Sequence, residues 1–205
     1  MIKLSDFKMR VTPTQVLFWG GPPSQWYKSN FEGYLPVVVT KDDGRRSIRK
    51  GEQLYKFSSA EKYMMMSKAS IFDDQGTLFL MERENDVKKI KALGREVKRF
   101  DQAVWDSTNI AAVTIGNYYK MVQNDGLWAF ITEMGDREYV EGSPHDAVWG
   151  VKLAWDDPKI EDKANWKGEN RLGTCLNNVW DMIIAHGREA DPFQAYRELI
   201  RSRGA

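Results

Sequence analysis

Glu61 and Lys68 lie seven residues apart in the stretch SSAEKYMMMSKAS and combine a proton donor or acceptor with an amine. If that stretch is helical, the spacing puts both on nearly one face, two turns apart, so that one cleft can hold them. A carboxyl group so placed suits general acid and base chemistry, and a desolvated lysine can attack an imine or carbonyl carbon. Structural readings compete with both. Ser58 stands three residues before Glu61, the spacing of a capping box, which alone accounts for a glutamate there. Lys68 by itself reads as a solvated lysine, and the Met64 to Met66 run as core filler.

A second constellation is SPHDAVWGVKLAW, residues 143–155, where His145 and Asp146 directly precede an apolar stretch holding Trp149 and Trp155. Asp146 reads as a cap or turn residue and Trp149 as core unless a ligand claims them. Other chemistries fail on residue type. Two histidines and one cysteine, His145, His186 and Cys175, make no metal motif, and no metal is expected. There is no phosphate-binding loop and no GxGxxG, and the prolines of WGGPPSQW remove backbone donors that a phosphate cradle would use. Neither histidine sits in a motif that names a nucleophile partner.

The elements that must position these groups are legible in outline. With 205 residues the chain suits a single domain, and 30 Lys plus Arg against 29 Asp plus Glu leave a net charge of +1, without the global basic field of a nonspecific duplex binder. The lone Cys175 cannot pair internally and no N-terminal apolar run suggests a leader or a membrane span, so a cytoplasmic, reducing compartment is expected. YLPVVV and SIRKGEQLYKF, joined through Asp43-Gly44, predict a hairpin over 34–57. A helix is predicted from about Ser59 to Ser70, another along the three-and-four spacing of Val87, Ile90, Leu93, Val97 and Phe100, and a third from Gln102 to Val122. LWAFIT predicts a short helix, EYVEG and AVWGVKLAW strands or extended segments, and Gly168, Asn170 and Gly173 a loop. CLNNVWDMIIAHG and PFQAYRELIRSR close the chain as helices, the latter opened by Asp191 and Pro192.

The order of motifs is more specific than any one of them. SNF at Ser29 to Phe31, SSAEKYMMMSKA at Ser58 to Ala69, LGREVKRFDQAVW ending at Trp105, NYYKMVQN around Lys120, YVEGSPHDAVWG from Tyr139 to Gly150 and WKGENRLGTCL from Trp166 together resemble the YbiA-like or NADAR family, over residues 18–180. Residues 181–205 read as a C-terminal helical extension. The resemblance implies a compact, mostly helical α+β domain with a pocket for ribosylated bases or ADP-ribose. Members are associated with hydrolysing the N-glycosidic bond of riboflavin-pathway aminouracil ribotides, or with removing ADP-ribose from guanine in nucleic acid. No cofactor is implied, and the expected partner is ADP-ribosylated guanine in nucleic acid or a small ribosylated base. Oligomeric state is not readable from the chain.

Carried onto this chain, the resemblance makes Glu61, Lys68 and Asp146 the catalytic candidates, with Ser29, Asn30, Phe31, Trp105, Glu141, Trp149, Gly150 and Asn170 for substrate binding. An acidic group would meet ribose hydroxyls or a reacting proton while an indole supplies a stacking face. Two routes cleave such a bond: a carboxylic acid protonates the leaving nitrogen while a carboxylate activates water, or the riboside opens to an imine that Lys68 attacks to form a Schiff base. The lysine route ranks slightly ahead, with Glu61 as proton shuttle. A module that binds ADP-ribose or NAD without turnover is the rival from another class. The chain departs from the family pattern in three places. Lys62 stands where a histidine commonly follows the glutamate, which makes it a rival amine if it points inward. Lys152 replaces the second glycine of Trp-Gly-Ile-Gly, and Trp180 replaces an arginine of the final helix. Lys41, Arg45, Arg46, Arg49 and Lys50 crowd the predicted hairpin, as a charged edge or as phosphate contacts.

Overall fold

The computed structural model describes residues 2–44 and 46–204. Its architecture is α+β and mostly helical, as expected. Strands β1 (Met9–Val11), β2 (Gln15–Phe18) and β5 (Glu138–Glu141) form a small sheet in the order β1-β2-β5, with β1 antiparallel and β5 parallel to β2. All four residues of β2 are buried, which suits a middle strand covered on both faces. A long hairpin, β3 (Phe31–Thr40) and β4 (Arg46–Phe57), forms the second sheet. Its register slips between Tyr34 and Pro36, where proline has no N–H for the ladder. The expected hairpin is therefore present and begins three residues earlier; Gly44 in its turn has a φ of 78°, and Arg45 lies outside the described residues.

Helices supply the rest: α1 (Ala60–Ile71), α2 (Gln75–Arg83), α3 (Val87–Arg95), α4 (Gln102–Val122), α5 (Asp125–Met134), α6 (Arg171–His186) and α7 (Pro192–Arg203). Side chains of Asp74, Asp86, Asp101 and Asp191 accept backbone N–H groups at the starts of α2, α3, α4 and α7. The hub is α4, every residue of which from Ala112 to Val122 is buried. Helices α1, α5, α6 and α7 and both hairpin strands pack on it, so it is enclosed on all sides. At Gly116 an added Cβ would come within 2.3 Å of the Tyr63 ring, so only glycine permits this approach of α1 to α4. Cys175 of α6 is fully buried, and burial pushes its thiol up to about 12.

Three local expectations are corrected. The helix through Val87 ends at Arg95 and does not reach Phe100: the carboxylate of Asp74 takes the Lys98 N–H at 2.8 Å and Arg99 adopts a φ of 56°, which no helix continues. Residues 147–155 are mostly bends rather than a strand or extended segment. Their carbonyls serve the start of α6: Ala147, Val148 and Trp149 accept from the N–H groups of Glu169, Arg171 and Leu172. The capping box also fails. The cap of α1 is Ser59, whose Oγ accepts from Lys62 N at 3.2 Å. Glu61 is therefore not the partner of a cap serine and its carboxyl is available for another purpose. Strands β1 and β2 and helix α2 had no reading in the sequence.

Candidate active site

The two residues that the helical spacing paired do share a cleft. A cavity of about 550 Å³ opens between α1, α3, the start of α4 and the end of β5, and Glu61, Lys68, Glu141, Asp146, Trp105 and Trp149 all line it. Glu61 is 4 % exposed. Its N–H donates to the Gln25 carbonyl at 2.9 Å, which ties the first turn of α1 to residues 24–26. Burial raises the pKa of its carboxyl, against the opposing pull of the Lys91 ammonium and a hydrogen bond from the Trp26 side chain.

Lys68 lies two turns further along α1. Its Nζ donates to the Gly94 carbonyl at 2.8 Å and sits 4.0 Å from the centre of the Phe100 ring. Burial lowers its pKa, which increases the fraction of neutral, nucleophilic amine. Gly94 makes this contact possible. An added Cβ there would lie 2.1 Å from the Met65 sulfur, so a side chain would displace Met65 in the α1–α3 contact that holds the carbonyl against Lys68.

Glu141 ends β5, opposite Phe18 in the parallel register. Burial first, then the charges of Asp146 and Glu61, push its carboxyl up to about 8. Asp146 uses one oxygen to build the turn beneath Trp149, accepting from Val148 N at 2.9 Å and Trp149 N at 2.8 Å. The turn reading of Asp146 and its place in the cleft therefore both hold. The arrangement offers one carboxyl that stays protonated at neutral pH, a second whose pKa burial raises, and an amine of depressed basicity. Groups whose protonation states are pushed apart in this way can divide acid and base roles.

The remaining residues named from the sequence lie elsewhere. Ser29 is buried, with its Oγ donating to the Tyr27 carbonyl, and Phe31 stacks on Phe57 in the core at 5.2 Å between ring centres. Asn30 and Phe31 face a separate hollow together with Lys62. Asn170 and Gly150 act behind the cleft. Asn170 holds the backbone of Glu141 and Tyr139, while an added Cβ on Gly150 would come within 2.9 Å of the Glu141 carbonyl. Of the departures, Lys62 is no rival to Lys68: its Nζ is spent on the carbonyls of Glu82 and Glu84 at 2.9 and 2.8 Å. Lys152 has a φ of 59° and is exposed on a turn, outside the cleft lining. Trp180 is half-buried against the core.

The cleft also holds residues that the sequence reading did not single out. Lys91 and Arg95 line it from α3, Trp26 from the loop after β2, and Phe100 and Gln102 from the approach to α4. Lys91 and Arg95 are four residues apart on a helix, a spacing that shares a face, and that was the available signal. Among the described residues neither enters a salt bridge, and no three His, Cys, Asp or Glu side chains are placed to hold a metal ion.

A small α+β domain with carboxyl groups, a desolvated lysine and three indoles around one cleft is the class of protein that the fold and site define. Residues 17–184 match the model of the NADAR domain, and the chain belongs to the NADAR family. It is 34% identical over 156 residues, 76% of this chain and 84% of the relative, to N-glycosidase R617 of Acanthamoeba polyphaga mimivirus. It is 30% identical over 179 residues, 86% of this chain and 80% of the relative, to Protein irg-1 of Caenorhabditis elegans. The fold is similar to the NMR structure of the E. coli protein YbiA, with a TM-score of 0.60 and 19% identity, covering 89% of this chain and 92% of that one. Among the described residues no helix is long and apolar enough to cross a membrane.

Proposed function

We propose that this protein is an N-glycosidase that hydrolyses the bond between a ribose anomeric carbon and the exocyclic amino nitrogen of a base. The activity class rests on membership of the NADAR family and on the relative named N-glycosidase. The observation that carries the chemistry is the convergence of Glu61, Lys68, Glu141 and Asp146 on one cleft walled by Trp26, Trp105 and Trp149. Indoles offer stacking faces to a planar base, the carboxyl groups reach for ribose hydroxyls and the reacting proton, and Lys91 with Arg95 suits substrate phosphate.

In the preferred route the ribosyl ring opens, its ring oxygen taking a proton as the exocyclic nitrogen forms a double bond to the anomeric carbon. The neutral amine of Lys68 adds to that carbon. The bond to the base breaks as the leaving nitrogen takes a proton from Glu61, and water then hydrolyses the lysine imine to return free sugar and free amine. In the carboxylate route Glu141, whose pKa is pushed up to about 8, protonates the leaving nitrogen while Asp146 or Glu61 activates water. Substrates of both kinds fit this chemistry: a guanine in nucleic acid that carries ADP-ribose, and an aminouracil ribotide.

The test is incubation with guanine-ADP-ribosylated DNA and, separately, with an aminouracil ribotide, with borohydride added to half of each reaction and the protein weighed by mass spectrometry. Released base with an adduct on Lys68 supports the Schiff-base route. Release without adduct moves the chemistry to the carboxylates. Saturable ADP-ribose binding with both substrates left intact would make this a binding module and overturn the proposal.

A further inference from the structure

A second concavity, of about 450 Å³, lies between the tip of the β3–β4 hairpin, α4 and α7. Lys41 and Arg46 reach it from the hairpin, Arg197 and Arg201 from α7, and Ile115 and Phe193 lie in its buried lining. No carboxylate lines it. Elsewhere on the same elements cations are neutralised: Lys50 pairs with Asp191 at 2.9 Å and Arg203 with Asp181 at 2.5 Å. Among the described residues none of the four groove cations enters a salt bridge. A chain of net charge +1 thus gathers four cations outside any salt bridge around one groove, a local positive field that favours an anion. Arg197 and Arg201, four apart on one helix, stand above one another about 6 Å apart along its axis, so the charges form a row. Ile200, 45 % exposed beside them, extends the apolar lining to the surface.

From this geometry we infer that the groove binds a single strand of nucleic acid, with phosphates along Lys41, Arg46, Arg197 and Arg201 and a base against the apolar lining. A row of cations suits the repeated charge of a phosphodiester chain, and an apolar lining suits the face of any base. Trp105 lines the catalytic cleft and Thr108 the groove, three residues apart on α4. The groove and the cleft therefore meet α4 within one helical turn of each other. The inference deepens the nucleic-acid branch of the proposed function but concerns unmodified strand, so binding is measured apart from turnover.

Fluorescence anisotropy of a labelled 12-nucleotide DNA strand, titrated with the full chain at several salt concentrations, decides it. Saturable binding is expected, with a slope of log affinity against log salt of about −3 for four phosphates at about −0.7 each. Arg197→Glu with Arg201→Glu should weaken binding at least about tenfold and flatten the slope, as should Lys41→Gln with Arg46→Gln, which serves if the helix variant misfolds. Lys159→Gln, at an exposed lysine outside both the groove and the cleft, should bind as the wild type does. Wild-type binding that is absent or insensitive to salt, equal binding by both groove variants, or occupancy by free ADP-ribose in place of the strand would each overturn the inference. Loss of base release with strand binding intact would count against the glycosidase reading alone.

Discussion

Asn170 clamps the end of β5 through the backbone of Glu141: its Oδ1 accepts from Glu141 N at 3.0 Å while its Nδ2 donates to the Tyr139 carbonyl at 2.9 Å. The backbone of Asn170 is left-handed, with a φ of 53°, which asparagine tolerates better than most residues. Asn170→Ala is expected to cost about 2–4 kcal/mol from the lost bonds to buried backbone and the strained φ. Asn170→Gly relieves the backbone but not the bonds and should lose less. Urea unfolding measures both, and a glycine variant as stable as the wild type would remove the clamp from the account.

Glu141 sets a limit on the alkaline side. With its carboxyl pushed up to about 8, it is protonated at neutrality, so kcat/KM should fall as the pH passes about 8 if it is the acid. The cleft carboxyls interact, so the limb belongs to the set of them. Glu141→Gln should remove that limb and lower the plateau by about 10²- to 10⁴-fold. A limb that survives the substitution assigns the proton to another group. The stability consequence follows from the same shift: an acid whose folded pKa exceeds its unfolded value stabilises below the unfolded value and loses that contribution as the pH rises toward 8.

Gly94→Ala should disturb the contact between Lys68 and the Gly94 carbonyl by displacing Met65. The new methyl meets the Met65 sulfur and overpacks the α1–α3 contact by about 1–3 kcal/mol. Trapped adduct on Lys68 should fall more than substrate binding does. Equal losses in both would mean that the contact is structural only.

Lys120 is fully buried, 0 % exposed, with its Nζ donating to the Ser24 carbonyl at 2.8 Å, and burial lowers its pKa to about 7. The unfolded chain therefore binds more protons between pH 7 and about 10.5, and stability rises with pH in that window. Lys120→Met lacks this term. The wild type should gain on the variant between pH 7 and pH 9 in urea midpoints, and a constant difference would show that Lys120 is not buried as a neutral amine.

Periodicity carried the helices because each turns one apolar face to the core, α4 from within it and α3 through α1. Glu61 and Lys68 were therefore paired correctly from a spacing of seven. It missed β1 and β2, which are three and four residues long, and α2, whose middle residues Phe79 and Leu80 are exposed. Periodicity also ran through Phe100, since Phe100 still contacts Phe72 at 5.2 Å after the helix has ended. The cleft was legible where one element supplied both partners. Trp26, Lys91 and Arg95 come to it from separate segments, and no local spacing encodes that meeting. The glycine and asparagine of the family motifs drew attention as ligand contacts, whereas their positions behind Glu141 give them backbone duties.

Cys175 offers an experimental opportunity through its enclosure. It is the sole thiol of the chain, fully buried and neutral far above physiological pH, so it is a poor nucleophile toward alkylating reagents. A cysteine introduced on the rim of the cleft or of the hairpin groove would then be the one reactive handle on an otherwise unsubstituted chain. A pair of such cysteines, one on each rim and each carrying a dye or spin label, would report distances between the two sites without background from the native sequence.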